Sequence, residues 1–317
     1  MPHLHNVRYC LKMAAIFVAL LLPLTGRGQT LITSDSLLNT GSPLSQTYTA
    51  PGTSGPNGPI NLSSDSSVNL WLMYPDPFGI SSGSGTIVQN YTGSGSVTES
   101  ISLSGLPGSG VDAFPFILYG CDPFSDCYNG QPPQFPKQLS AMSSLVVDFN
   151  YGLSGTITGR DVDLLFDEWV CNSNHPTDSS QCLEIEVLPY YSFVDFGGGS
   201  FIKTINESAT LNGSTSTFSF DEYKGGTNIL FYPHTMPGLS SGHLRFDLLD
   251  FLKEGVTTWG DSSYQYISGI ELGTEFGASS SQSYTLTLTR LDIEQTSAGS
   301  PPAPPPAPPT NLTGIVK

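Results

Sequence analysis

The sequence predicts an all-β protein, a two-sheet antiparallel β-sandwich with one short helix. Three observations carry this. Gly 34 and Pro 25 in 317 residues, with abundant Ser and Thr, disfavour a helical bundle. From residue 67 onward, short apolar or alternating runs are each closed by a Gly-rich turn cluster, the spacing of a sandwich or barrel. A hydrophobic fraction of 38% and an aromatic fraction of 11% supply a core, so the chain as a whole is not disordered. Only 12% of residues are charged, with Lys+Arg 11 against Asp+Glu 27 and a formal net charge of −16. A field of that sign repels phosphate backbones and excludes nucleic acid as a partner.

The elements follow in order. Arg8 and Lys12 flank and precede the apolar run 13–22, a basic region and an apolar stretch of signal-peptide length. Residues 1–29 are therefore expected to be a signal peptide, the protein secreted and extracellular, with no membrane attachment after cleavage. The other reading of this run is an uncleaved anchor, although it is short for a bilayer. Residues 30–65 read as an extended lead-in with one early strand. Residues 66–296 read as the folded domain, with strands at 68–73, 85–90, 96–103, 113–119, 144–151, 161–170, 182–191, 201–205, 217–223, 227–232, 266–276 and 283–293. Leu244, Leu248, Leu249 and Leu252 follow the helical period, with Ser241 as cap and Gly255 as stop. Residues 297–317 form a Pro-rich linker or tail, whose stretch 300–310 reads as polyproline II. The protein is expected to be a monomer.

Cys10 leaves with the signal, and Cys121, Cys127, Cys171 and Cys182 remain. Four cysteines allow three pairings, and proximity favours Cys121–Cys127 with Cys171–Cys182. The spacings lack the paired CxxC units of a zinc site. His175, His234 and His243 are scattered, so neither metal nor cofactor is expected. N-x-S/T sequons start at Asn61, Asn90, Asn206, Asn212 and Asn311.

Acids recur at alternating positions on three predicted strands. Glu184, Glu186, Leu188 and Tyr190 share one face of their strand. Asp161, Asp163, Leu165, Asp167 and Trp169 share another, and Glu271, Gly273 and Glu275 a third. Such faces are either solvated or line a cleft carrying the carboxylate pair that glycoside hydrolysis requires.

The wording and order of the segments resemble glycoside hydrolase family 12, the compact endoglucanases and xyloglucanases. Val68-Asn-Leu-Trp71 is similar to that family's N-L-W strand. Val111-Asp-Ala-Phe-Pro-Phe-Ile-Leu-Tyr-Gly120 resembles its Y-P strand, and Gln138-Leu-Ser-Ala-Met-Ser143 the stretch before the next. Leu165-Phe-Asp-Glu-Trp169 is similar to Y-D-L-F, and Glu184-Ile-Glu-Val-Leu-Pro-Tyr190 to E-x-E-I-M-I-W. Gly273-Thr-Glu-Phe-Gly277 matches G-T-E-F-G, the most specific of these motifs. The resemblance covers about residues 66–294 and includes the single helix. It implies a jelly-roll, concanavalin-like sandwich with an open cleft. It further implies secreted, endo-acting, retaining cleavage of internal β-1,4-glucosidic bonds in cellulose, β-glucan or xyloglucan. The alternatives are a noncatalytic carbohydrate-binding β-sandwich, which needs the cleft but not Glu275, and a surface adhesin.

The resemblance assigns roles. Glu275 is similar to the general acid/base, and Asp167 to the aspartate that hydrogen-bonds the nucleophile. Asn69 and Trp71 resemble the sugar-contacting pair, an indole offering a flat apolar platform and an amide binding hydroxyls. Tyr119 and Tyr190 complete the expected substrate wall. The nucleophile is Glu186 or Glu184. Aligning Glu186 keeps a Glu-x-Leu-x-Tyr face in place of Glu-x-Met-x-Trp; aligning Glu184 preserves the downstream loop length. If Cys171 and Cys182 face each other across a hairpin, Asp167 falls opposite Glu186 and diagonal to Glu184, which favours Glu186. The acid excess also predicts an acidic working pH. Pro189 stands out, since it removes an N–H from a strand expected to be central.

Overall fold

The structure, a computed structural model, describes residues 29–33, 43–52, 60–62, 71–93, 95–123, 134–157, 161–192 and 199–299. The predicted signal segment up to residue 28, the Pro-rich tail from residue 300, Asn69 and Cys127 lie outside the described residues.

In chain order the strands are β1 (Gln29–Thr33), β2 (Leu44–Ala50), β3 (Ile60–Asn61), β4 (Trp71–Tyr74), β5 (Ser84–Tyr91), β6 (Val97–Ser104) and β7 (Val111–Ala113). Next come β8 (Phe116–Gly120), β9 (Lys137–Gln138), β10 (Met142–Thr156), β11 (Asp161–Cys171), β12 (Cys182–Tyr191), β13 (Ser200–Leu211) and β14 (Ser214–Lys224). The last are β15 (Asn228–Pro233), β16 (Ser241–Asp247), β17 (Tyr266–Ile267), β18 (Gly269–Gly277) and β19 (Ser281–Ser297), with helix α1 (Leu248–Trp259) between β16 and β17. One layer runs β2-β5-β6-β19-β10-β16. The other runs β4-β8-β18-β11-β12-β15. The β13–β14 hairpin pairs with β16 on one side and β15 on the other, so the layers form one continuous open sheet folded on itself. All these pairings are antiparallel except β12–β15.

The core lies between the layers. Ile87, Ile101 and Leu286 from the first layer share one buried cluster with Val162, Ile185 and Phe231 from the second. Three strands from the predicted lead-in join the sheet: β1 pairs with β19, β2 with β5 and β3 with β4, and β2 buries Tyr48 in the core. The predicted strand 113–119 is split at Phe114-Pro115 into β7 and β8. The hairpin β13–β14 is far longer than predicted. It closes on Asn212 (φ 50°) and Gly213 (φ 83°), a two-residue turn with both φ positive, matching the twist of its strands.

The helix is shifted from its predicted bounds. Leu244 belongs to β16, and Asp247 is the cap, its Oδ1 accepting from the Leu249 N–H at 3.1 Å and the Leu145 N–H at 2.9 Å. Gly260 (φ 87°) ends the helix in the left-handed region. Gly255 sits inside the helix, where a Cβ would stand 2.8 Å from Ile185 Cδ1. It permits close contact between α1 and β12, the strand carrying both candidate nucleophiles.

Candidate active site

The Cys171–Cys182 disulfide joins β11 to β12 at directly opposed positions. Counting inward from it, Trp169 faces Glu184 and Asp167 faces Glu186. On the other side of β11, Asp163 faces Glu275 and Leu165 faces Gly273 of β18. The alternate residues Phe166, Ile185, Val187 and Leu272 are buried in the main core. The acids therefore stand on the opposite face of the layer. Glu186 is only 7% exposed there, so this outward face is recessed. A second apolar cluster, Leu72, Phe114, Phe116, Leu118, Leu165 and Leu188, forms its floor, with Tyr74, Tyr191 and Tyr232 packed against it. Cys121 is also disulfide-bonded; its predicted partner Cys127 lies outside the described residues.

The electrostatics follow from crowding acids in a recess. Burial, then the charge of Glu184, pushes Glu186 up to about 8, opposed by a hydrogen bond from Asn228. Asn228 Nδ2 donates to Glu186 Oε1 at 2.7 Å. Burial raises Glu184 to about 7. Glu275 is held well above the ordinary carboxylate range by burial, then by the charges of Glu186, Asp163 and Glu184. Asp167 is raised by burial and by Glu184, Glu271, Glu186 and Glu275. These groups share protons and titrate as a set. Asp167 faces Glu186 across the β11–β12 ladder, and its Oδ1 has no hydrogen-bond partner. Glu186 is oriented by Asn228 from the parallel strand β15, a pairing with no sequence signature.

Glu271, one of the acids at alternating positions of the predicted strands, is buried at the site's edge. It is raised by burial and then by Asp122, Glu168, Asp76 and Glu184. Its N–H donates to Glu168 Oε1 at 3.3 Å. Burial and Asp122 push Asp76 to about 7. Among the described residues, no group of three or more His, Cys, Asp and Glu is arranged to hold a metal ion.

Three expected sugar contacts are placed elsewhere. Trp71 is 0% exposed and lies in the main core, its ring 4.8 Å from that of Tyr119, which is buried there too and donates its hydroxyl to Gln134 Oε1. Trp71 pairs with Tyr119 and Leu72 with Leu118, so Leu72 and Tyr74, not Trp71, face the acids. Tyr190 is also in the main core. The cause is a bulge: β11–β12 pairing shifts between Leu164 and Phe166, giving β12 one extra residue around Leu188-Pro189. The bulge accommodates the missing proline N–H and turns Tyr191 onto the acid face in place of Tyr190. Trp169, half-buried and opposite Glu184, is an indole on that face that the sequence reading did not assign to substrate.

Comparison with protein-family models and with curated proteins gives no match. Solved structures do match. A metagenome-derived glycoside hydrolase family 12 endoglucanase is 17% identical, with a TM-score of 0.56 over 80% of this chain and 99% of that one. A family 12 xyloglucanase from Bacillus licheniformis is 18% identical, with a TM-score of 0.56 over 79% of this chain and 98% of its own. Endoglucanase 3 of Trichoderma harzianum, also family 12, is 16% identical, with a TM-score of 0.54 over 79% and 98%. The chain thus has the β-jelly-roll fold of these enzymes. No described helix is long and apolar enough to cross a membrane.

Proposed function

We propose that the protein is a secreted, endo-acting glycoside hydrolase that cleaves internal β-1,4-glucosidic bonds with retention of configuration. The observation that carries this reading is the set of Glu186, Asp167 and Glu275 on three adjacent strands, in one recessed face with apolar and aromatic flanks. Glu186 exerts the largest charge effect on Glu275, as a cooperating carboxylate pair requires. Shared fold with family 12 enzymes and the disulfide, which suits an oxidising compartment, add support.

In this mechanism Glu275, held protonated, gives its proton to the leaving glycosidic oxygen. Glu186, ionised, attacks the anomeric carbon and forms a covalent glycosyl-enzyme. Water then attacks that carbon while Glu275 takes its proton, and the Glu186 carboxylate departs. Asn228 holds the attacking carboxylate in its charged form. Asp167 carries a proton, since adjacent carboxylates resist joint ionisation.

The test is hydrolysis of carboxymethylcellulose by the full chain, and its loss in Glu275→Gln with an unchanged melting curve. A 2-deoxy-2-fluoro cellobioside should label Glu186. A label on Glu184 would move the nucleophile by two residues; an inverted product anomer would reject the double displacement. Binding of glucan without any cleavage would favour the noncatalytic reading.

A further inference from the structure

The motif Gly273-Thr-Glu-Phe-Gly277 gives Glu275 a role and leaves the two residues beside it without one. Glu275 stands on the recessed face of β18, so alternation turns Thr274 and Phe276 into the core, where both are 0% exposed. After Gly277 the chain crosses from the second layer to the first over residues 278–280 and continues as β19. Tyr284 of β19, buried in the same core, then meets both neighbours of Glu275. Its hydroxyl donates to Thr274 Oγ1 at 2.9 Å. Its ring centroid lies 6.0 Å from that of Phe276, edge to face. Gln282, on the same side of β19, donates from Nε2 to the Gly277 carbonyl at 3.4 Å.

The partners in this contact are closely held. The Thr274 N–H donates to the Pro115 carbonyl at 3.1 Å, and Leu164 is the register partner of Thr274 on β11. Tyr284 is opposed by Ile101 of β6 and by Gly155 of β10, where a Cβ would stand 2.9 Å from Tyr284 Cα. Burial raises the ionisation of the Tyr284 hydroxyl, opposed by the Thr274 bond and reinforced by the charges of Glu99 and Asp163. The phenol therefore keeps the proton with which it donates. Asp163 is in turn the register partner of Glu275.

A strand residue takes its aim from the backbone on either side of it, and here both sides rest on one tyrosine. Proton transfer needs the acid held to a fraction of an ångström, which packing and hydrogen bonds around it supply. We propose that Tyr284 is a positioning residue for the proton transfer by Glu275, gripping Thr274 and Phe276 from the opposite layer. It touches neither substrate nor the reacting atoms. The inference rests on the hydrolase reading above. The charges that bear on Glu275, those of Glu186, Asp163 and Glu184, stay in place when the Tyr284 hydroxyl is removed, so the effect is on aim.

The experiment compares phenyl cellobioside with 2,4-dinitrophenyl cellobioside on the full chain. In both, the bond from the anomeric carbon to the aryl oxygen breaks as the Glu186 carboxylate bonds to that carbon. The phenol oxygen must take the Glu275 proton as it leaves, whereas dinitrophenolate departs as the anion and needs none. Glu275→Ala sets the scale, with a large loss on the phenyl substrate and a much smaller one on the dinitrophenyl substrate. Tyr284→Phe removes one oxygen and keeps the ring against Phe276. It should lower kcat/KM for phenyl cellobioside about ten- to hundredfold and leave the dinitrophenyl substrate close to the parent value. Thr274→Val should show the same split, and Thr274→Ser, which keeps the hydroxyl, should restore most of the rate. Adding Tyr284→Phe to Thr274→Val should cost little more, since both remove one bond. Equal losses on the two substrates, or none on either, would overturn the positioning role while the hydrolase reading stands. If the parent cleaves neither aryl cellobioside nor carboxymethylcellulose, the hydrolase reading fails and this inference with it.

Discussion

Removing the Asn228 amide tests how the recess controls Glu186, the proposed nucleophile. Burial and Glu184 push Glu186 up to about 8, and Asn228 is the one group that acts in the other direction. A hydrogen bond to a charged group contributes about 1.5–3 kcal/mol. At about 1.36 kcal/mol per pH unit, its loss should move the ionisation of Glu186 upward by roughly one to two pH units. In the proposed mechanism Glu186 works ionised, so the acidic limb of kcat/KM reports this group in the free enzyme. Asn228→Ala should therefore lower kcat/KM about ten- to hundredfold on the acidic side of that limb. The difference should close at pH values above both midpoints, where Glu186 is ionised in either protein. Asn228→Asp should displace the limb in the same direction, because it replaces the donor with another carboxylate. The assay is kcat/KM for p-nitrophenyl cellobioside across the pH range, with melting curves as the folding control. A loss of equal size at every pH, or an unmoved limb, would refute the reasoning.

Three more outcomes are expected. Glu99, 0% exposed with Oε1 accepting from Gln89 Nε2 at 2.8 Å, is pushed by burial from 4.5 to about 8. The folded state thus holds a proton that the unfolded chain loses above its ordinary pKa, so stability falls as pH rises through that window. Glu99→Gln should remove a loss on the order of 5 kcal/mol, read as urea midpoints at either end of the window; identical pH slopes would contradict it. Cys171→Ser with Cys182→Ser frees a loop whose cysteines are 11 residues apart, and should cost about 2–3 kcal/mol. Denaturant titration checks this, an unchanged midpoint counting against it. Gly255→Ala should destabilise by about 1–3 kcal/mol through overpacking on Ile185, despite the gain in helix propensity. The double variant with Ile185→Val should recover part of the loss, and strict additivity in that cycle would argue against contact as the cause.

Much of the fold was legible because it rests on period-2 patterning and turn chemistry. The hairpin of β11 and β12 was readable in detail, since two cysteines at its mouth fix which residues oppose each other. What failed did so for physical reasons. Alternation says which residues share a face but not which face is inward. Trp71 was therefore assigned to the cleft when its neighbours Leu72 and Tyr74 face it. Tyr190 was misplaced because one bulge residue reverses all later alternation. The hairpin of β13 and β14 was under-predicted because Ala209 and Leu211 are the only apolar residues near its turn, too few to show a hydrophobic period. Asn228 reaches Glu186 through a parallel pairing across 42 residues of chain, a contact without a local signal.

The register of β11 against β12 is therefore a chemical as well as a structural variable. Moving β12 by one residue would carry Glu184 and Glu186 into the core and bring Ile185 and Val187 to the recess. Several features oppose that slip. The Cys171–Cys182 bond fixes one end. Ile185 fits against the bare backbone of Gly255 on α1, so the core-facing side of β12 is keyed to the helix. On the other edge, β15 pairs Leu230 with Glu186 and places Asn228 at its carboxylate. The bulge at Leu188-Pro189 then changes alternation only after the acids have been set, so Tyr191 can turn outward toward Tyr232 without disturbing them. The strand is rigidly registered where the charges must meet and irregular where the recess must widen. This order explains how a proline can sit in a central strand beside a candidate nucleophile: its missing N–H falls where the ladder is already interrupted.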